Sequence, residues 1–124
     1  MREAHINFYN LEKIQNDIIQ YARQQKIHIV AVTKGFDITS IISAQNANLN
    51  IIGENRIQEF QSKINHMPQT ISIEKHLIGH LQRNKAKQAI KLFDVIQTVD
   101  SVRLASHLNK LCQEQGIKKR IFLQ

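Results

Sequence analysis

The chain of 124 residues has one cysteine, one proline, four glycines and no tryptophan, and aromatic residues make up 6% of it. A single cysteine excludes an internal disulfide bond, and the apolar helical pattern around Cys112 predicts packing rather than nucleophilic chemistry. No apolar run approaches the roughly 20 residues of a transmembrane helix, and the amino terminus lacks a signal-peptide core. With 42% hydrophobic residues, the composition predicts a compact cytoplasmic domain without membrane contact.

Acidic residues are few compared with basic ones, 10 against 17, which gives a formal net charge of +7. Local basic groups occur at residues 83–87 and 118–120. Aromatic residues do not alternate with them, as they do in proteins that stack single-stranded bases. We interpret these groups as solvated helix faces rather than as nucleic-acid contacts, and attraction to an anionic partner is the alternative.

Short apolar runs alternate with longer segments of helical spacing along the chain. Their centres lie about 17 to 27 residues apart, which suits one strand, one helix and two loops in each unit. The five runs are centred near Val32, Ile52, Ile78, Val95 and Phe122. This alternation predicts an α/β fold with a parallel sheet. A closed (β/α)8 barrel takes about 250 residues, so we expect a partial TIM-type barrel of about four βα units and the start of a fifth strand.

Apolar residues at three- and four-residue steps, together with caps and stops, predict five helices in a single domain spanning residues 1–124. The helices are expected at Asn10–Gln24, from a cap at Thr39 or Ser40, from about Asn55 to before Met67, at Asn84–Leu92, and from Asp100 or Ser101 to Gly116. The first should bury Leu11, Ile14, Ile18 and Tyr21. The last should bury Val102, Ala105, Leu108, Leu111 and Cys112. The open edge of the fifth strand predicts self-association.

The first apolar run, Ile27–Val32, leads into Thr33 and Lys34. Polar groups at the carboxyl ends of parallel strands carry out chemistry in α/β folds. A lysine that is desolvated there can lose its proton well below a pKa of about 10.4, and the neutral amine can form a Schiff base. Lys34 is therefore the first candidate for a reactive group, and a solvated lysine is the alternative.

Polar residues also come directly after the second and third runs. Asn55 is predicted to contact a ligand, to cap the next helix, or both. For His80, a structural hydrogen bond is preferred over ligand contact. Glu54 is expected to orient a polar group or to be solvated. His76 and His80 lack a third ligand at suitable spacing, so no metal site is expected.

Four segments resemble a known family in order and spacing. They are Ala31–Lys34, Gly53–Glu59, His76–Lys85 and Thr98–Ser101. The Gly-Glu-Asn-x-x-Gln-Glu and Ile-Gly-His-Leu-Gln-x-Asn-Lys motifs within them are specific. Together they resemble the pyridoxal phosphate homeostasis proteins, which are related to the N-terminal barrel of alanine racemase, and the resemblance covers nearly the whole chain.

The resemblance implies a (β/α)8 barrel of the PLP-binding type III kind, in which pyridoxal 5′-phosphate is held as an internal aldimine on Lys34. It places Asn55 and His80 at the same mouth. The family grips the phosphate with loops after the late strands, so this chain is expected to be the truncated N-terminal half. Whether it is an enzyme stays open, and a cofactor carrier without turnover is preferred. The alternatives are a half-barrel that binds little cofactor or acts only with another chain, and, ranked lowest, a residual racemase, because no second base is evident.

Overall fold

The computed structural model describes residues 1–124 as alternating strands and helices that come after a first helix. The helices are α1 (Phe8–Tyr21), α2 (Ile38–Asn46), α3 (Ile57–Ile64), α4 (Ala86–Leu92) and α5 (Val102–Gln115), with a 3₁₀ turn at Arg83–Lys85 before α4. The strands are β1 (Ala31–Val32), β2 (Ile51–Glu54), β3 (Glu74–Leu77), β4 (Val95–Val99) and β5 (Arg120–Leu123). None of the helices combines the length and the apolar character that a membrane crossing requires.

The five strands form one parallel sheet in the order β1-β2-β3-β4-β5. Every strand therefore pairs with the next strand in the chain, and helices α2 to α5 are the connections between them. The prediction of an α/β fold with a parallel sheet is confirmed. This order places the carboxyl ends of all five strands, and the polar residues just beyond them, along one edge of the sheet.

The two faces of the sheet differ in what covers them. Ile52, Leu77 and Ile96 belong to a core cluster of 21 buried residues that also contains Phe60 of α3 and Leu108 of α5. We call this side the outer face. Successive strand residues point to opposite sides, and the row that alternates with the core residues runs across neighbouring strands on the inner face. It consists of Val32, Gly53, His76, Val95 and Arg120.

The first helix and the first strand differ from their predictions. The side chain of Asn7 accepts a hydrogen bond from the Asn10 amide, so α1 begins at Phe8 and ends at Tyr21. Only Leu11 of the expected stripe is buried, and Ile14 and Tyr21 are exposed. The strand β1 is reduced to two residues, because only Ala31 and Val32 are paired with β2.

The bounds of α2 and α5 can be compared with prediction. Asp37, rather than Thr39 or Ser40, caps α2, because its carboxylate accepts the Thr39 amide at 2.9 Å. In α5, the cap at Ser101 and the left-handed stop at Gly116, with φ of 64°, confirm the predicted bounds. The buried side of α5 includes Leu104, whereas Val102 is 84% exposed, so the predicted burial of Val102 was wrong.

The helix α3 begins at Ile57, later than predicted. Its cap position is Arg56, which makes no capping hydrogen bond with its side chain. Asn55 is therefore not the N-cap, and that part of its double prediction was wrong. Ile57 and Phe60 are buried as predicted.

Candidate functional site

Lys34 lies just beyond β1, at the carboxyl edge of the sheet, as the sequence predicted. The residue is exposed to solvent. The desolvation expected from its place after an apolar run is therefore absent, because β1 is a short strand at one edge of the sheet and does not enclose the residues beyond its end. Any special chemistry of Lys34 has to come from where its amine is placed rather than from burial.

Thr33, the residue before Lys34, is held by a buried ion pair. The Thr33 hydroxyl donates to Glu54 Oε1 at 2.7 Å. Lys63 Nζ donates to the Thr33 carbonyl at 2.7 Å and to Glu54 Oε1 at 2.6 Å. The side chains of Lys63 and Glu54 are both 0% exposed. Thr33, which leads into Lys34, is thus hydrogen-bonded to two buried charged groups on the outer face of the sheet.

Gly35, the residue after Lys34, is held by the same helix. Its amide donates to Glu59 Oε1 of α3, and that oxygen lies 3.6 Å from Lys63 Nζ. Gly35 has φ of 77°, a left-handed conformation that glycine adopts without a steric penalty. The chain is therefore tied to α3 on both sides of Lys34.

The electrostatics of Glu54 are dominated by its removal from water. Burial raises the pKa of the Glu54 carboxyl, and the hydrogen bonds from Lys63 and Thr33 oppose that rise. The Lys63 ammonium has three N–H donors and three nearby oxygens, on Thr33, Glu54 and Glu59. Glu54 Oε2 is buried without a hydrogen-bond partner. The expectation that Glu54 is solvated was wrong.

Asn55 and His80 are brought together at the ends of β2 and β3. Both line an open cleft of about 480 Å³, to which Arg56 and Lys85 also contribute and Lys34 does not. Gly79 makes this meeting possible, since a Cβ on it would lie 2.1 Å from the Asn55 carbonyl oxygen. The two specific sequence motifs therefore touch through their backbones.

His80 does not make the structural hydrogen bond that was preferred for it. Its side chain is 71% exposed, and its Nδ1 lies 3.5 Å from Asp100 Oδ2. The chain bends at Gly79, and the His80 ring that follows is exposed to solvent. An exposed imidazole at this edge is free to meet a ligand.

His76 belongs to a separate polar group on the inner face. Its Nε2 lies 2.6 Å from Glu74 Oε1, and its Nδ1 lies 2.7 Å from Gln97 Nε2. The hydrogen bond from His76, together with Arg120 at 2.6 Å, holds the pKa of Glu74 below its usual range. Both ring nitrogens of His76 are thus engaged within the chain.

Sequence reasoning missed Lys63 and Glu59. A signal was present: Lys63 lies three residues after Phe60, on the stripe of α3 that faces the core. A charge at a core position calls for a buried partner, and Glu54 at the end of a buried strand was the nearest candidate.

Comparisons with known proteins identify relatives along most of the chain. It is 35% identical over 108 residues to the pyridoxal phosphate homeostasis protein of Haemophilus influenzae, which covers 82% of this chain and 46% of that protein. The protein of the same name from Helicobacter pylori strain J99 is 31% identical over 115 residues, 92% of this chain and 51% of the relative. No family model matches the chain. The chain spans about half the length of these curated relatives.

Solved structures agree in fold and sequence. PipY of Synechococcus elongatus, solved without PLP, is 32% identical with a TM-score of 0.73, over 87% of this chain and 51% of PipY. PipY with PLP bound gives 32% identity and a TM-score of 0.72, over 87% of this chain and 52% of PipY. A protein of unknown function from Bifidobacterium adolescentis is 27% identical with a TM-score of 0.79, over 97% of this chain and 57% of that one. The chain thus belongs to the pyridoxal phosphate homeostasis protein family, whose curated members it matches over about half of their length.

Proposed function

We propose that this chain binds pyridoxal 5′-phosphate through Lys34 and holds it for transfer, without turning over a substrate. The observation that carries the proposal is the exposed Lys34 at the carboxyl edge of the sheet, tied on both sides, in a chain similar to PipY, which was solved with PLP bound. The Lys34 amine would condense with the aldehyde of the cofactor, forming a carbon–nitrogen double bond and releasing one water. The reverse reaction with water returns both partners.

The residues near Lys34 suit a flat aromatic aldehyde. Val32 is half exposed on the inner face, next to the end of β1. Beside it, Ile78 and Val30 pack over Gly53, where a Cβ would meet them at 3.0 and 3.1 Å. These three side chains form an apolar surface next to Lys34. Asn55 and His80 are proposed as further cofactor contacts, because they share one cleft at the same edge of the sheet.

A partial (β/α)8 barrel is part of the proposal. The strands are arranged in chain order in an all-parallel sheet with helical connections, as they are in the wall of such a barrel. Parallel sheets are usually covered on both faces, whereas here the inner face carries half-exposed Val32 and Phe122. An inner face of this kind suits the interior of a barrel whose wall continues beyond these five strands.

The contacts of the two carboxylates near Lys34 support binding of the cofactor without turnover of a substrate. Glu54 accepts from Lys63 and Thr33, and Glu59 accepts from the Gly35 amide. Racemisation through a carbanion needs a base that is free to take and return a proton. Both of these carboxylates serve the backbone around Lys34 instead.

The test is a titration with pyridoxal 5′-phosphate followed by the absorbance of the Schiff base. The expected result is a saturable signal in the wild-type chain that is lost in Lys34→Met and retained in Lys110→Met, an exposed lysine on α5. The same signal in Lys34→Met would refute the proposed role of Lys34.

A second candidate is a chain that acts only by pairing with another chain. The observation that favours it is the edge strand β5, whose residues are all exposed, with Leu123 at 82%. Unpaired strand edges with apolar side chains promote association. Sedimentation velocity over a range of concentrations should show self-association that Leu123→Lys weakens, and a monomer at all concentrations would refute this candidate.

A further inference from the structure

We propose that Lys63 is a positioning residue for Lys34: its buried ammonium, paired with Glu54, fixes the backbone on both sides of Lys34 and thereby sets where the Lys34 amine leaves the sheet. This inference rests on the proposed function of Lys34 as the cofactor lysine. Lys63 itself is 0% exposed and has no route to a cofactor, so it acts only through Lys34.

The contacts of Lys63 join three elements at one atom. Its Nζ lies 2.7 Å from the Thr33 carbonyl at the end of β1 and 2.6 Å from Glu54 Oε1 on β2. The third oxygen, Glu59 Oε1, lies 3.6 Å away on α3 and accepts the Gly35 amide. The ammonium thus donates two hydrogen bonds, to Thr33 and Glu54, and attracts the Glu59 carboxylate at the longer distance by its charge. These contacts link the end of β1 to β2 and α3.

Stability alone does not explain a charge at this position. Replacing a buried ion pair by apolar residues of similar volume is often neutral or stabilising, whereas breaking one costs about 3 to 5 kcal/mol. Position 63 lies against the core beside Phe60, where an apolar residue would fit the stripe of α3. What an apolar residue could not do is bind the Thr33 carbonyl, so the charge is explained by what it holds.

The segment that carries Lys34 has little other support. β1 has two residues. Beyond it, backbone bonds run from Thr33 N–H to the Gly53 carbonyl at 3.0 Å, from Phe36 N–H to the Thr33 carbonyl at 3.3 Å and from Asp37 N–H to the Arg2 carbonyl at 2.9 Å. The side-chain hydrogen bonds of the residues directly before and after Lys34 all go to Glu54, Lys63 and Glu59. A displacement of about 1 Å in a reacting group can cost a factor of about 100 in rate.

The test compares Lys63→Met with Lys75→Met. Lys75 forms a partly exposed ion pair at the amino end of β3, with its Nζ 3.3 Å from Asp94, and makes no hydrogen bond to the residues beside Lys34. Two quantities are measured in each variant: hydrogen exchange of the Gly35 amide without cofactor, and the rate of reaction of Lys34 with pyridoxal 5′-phosphate. Exchange within β4 reports whether the sheet remains folded.

In Lys63→Met, we expect the Gly35 amide to exchange its hydrogen at least tenfold faster and Lys34 to react with pyridoxal 5′-phosphate at least tenfold more slowly. Hydrogen exchange within β4 should not change. Lys75→Met should change neither quantity at Lys34. If Lys63→Met loses protection in β4, the double variant Glu54→Met/Lys63→Met decides, because replacing both members of the buried ion pair by apolar residues leaves no uncompensated charge. Faster Gly35 exchange with slower Lys34 reaction in the folded double variant supports the proposal.

Unchanged exchange and reaction in a folded Lys63→Met, or in the double variant where that variant decides, would overturn the positioning role. A wild-type chain that does not react at Lys34 would refute the proposed function instead. The exchange measurement needs no cofactor, so the two failures are distinguishable.

Discussion

The outer and inner faces of the sheet carry similar residue types, but they differ in how far these residues are buried. On the outer face, Phe60 stacks on Phe93 with ring centroids 4.9 Å apart, and both are buried. On the inner face, Phe122 meets His76 edge-on at 6.3 Å and is 51% exposed. Phe60 and Phe93 are enclosed in the core, whereas Phe122 borders open space. Burial of apolar area therefore concentrates on the outer face.

Charged groups show the same contrast. Glu54 and Lys63 are enclosed on the outer face, whereas Glu74 on the inner face pairs with His76 and Arg120 at a partly exposed position. The outer face thus contains most of the buried apolar core and also the charged groups that hold the backbone next to Lys34. The open face leaves room for a ligand or for further barrel wall.

The largest expected effect is the difference in stability between variants of Phe60 on the outer face and Phe122 on the inner face. Phe60→Ala should lower the free energy of unfolding by about 3 to 5 kcal/mol, because it leaves a cavity in the core. Phe122→Ala should cost less than about 1.5 kcal/mol, since half of that side chain is already in water. Chemical denaturation of both variants measures the difference. Equal losses would show that the inner face is as well packed as the outer face.

Two glycines provide the next comparison. Gly79→Ala should cost about 1 to 3 kcal/mol or more, because its Cβ would lie 2.1 Å from the Asn55 carbonyl oxygen and backbone must move. Gly53→Ala should cost less, because its Cβ would meet side-chain atoms of Ile78 and Val30 at 3.0 and 3.1 Å. Thermal denaturation tests this ranking. A larger loss in Gly53→Ala would contradict the close approach of the two motifs.

The smallest expected effect is a pH dependence of opposite sign at the two glutamates. The hydrogen bond from His76 lowers the pKa of Glu74, so its stabilisation is present above the ordinary glutamate pKa and is lost as the pH falls through the folded-state pKa. Burial raises the pKa of Glu54, so its contribution decreases as the pH rises from the ordinary to the folded-state pKa.

Unfolding free energies of Glu74→Gln, Glu54→Gln and the wild type, measured from about pH 3 to about pH 7, test these signs. The wild type should lose stability relative to Glu74→Gln on acidification. Relative to Glu54→Gln, it should gain stability. Parallel curves for all three proteins would mean that neither carboxyl has a perturbed pKa.

Much of the fold could be predicted from periodicity. The five strands and their parallel pairing agree with the short apolar runs, although β3 ends one residue before the predicted centre Ile78. The bounds of α5 agree with a serine cap and a glycine stop. The pattern on α1 misled, because Ile14 and Tyr21 keep helical spacing while the helix buries only Leu11. Periodicity states which residues share a helix face, but not how much of that face another element covers.

The site was predicted less completely than the fold. Lys34 and Asn55 lie at the expected edge of the sheet, since strand ends are local features of the sequence. The position of Lys63 on the core-facing stripe of α3 indicated a buried charge, but its pairing with Glu54 depends on the packing of α3 against β1 and β2. The exposure of His80 likewise depends on the turn that the chain takes after Gly79.

The role of Lys34 is tested by mapping the lysine that reacts with pyridoxal 5′-phosphate. The protein is mixed with the cofactor, reduced with borohydride and digested, and the adducts are located by mass spectrometry. We predict that Lys34 is modified ahead of the other exposed lysines, and that Lys34→Met does not transfer this preference to another site. Equal modification of all the exposed lysines would contradict the claim that the fold makes Lys34 the preferred site of reaction.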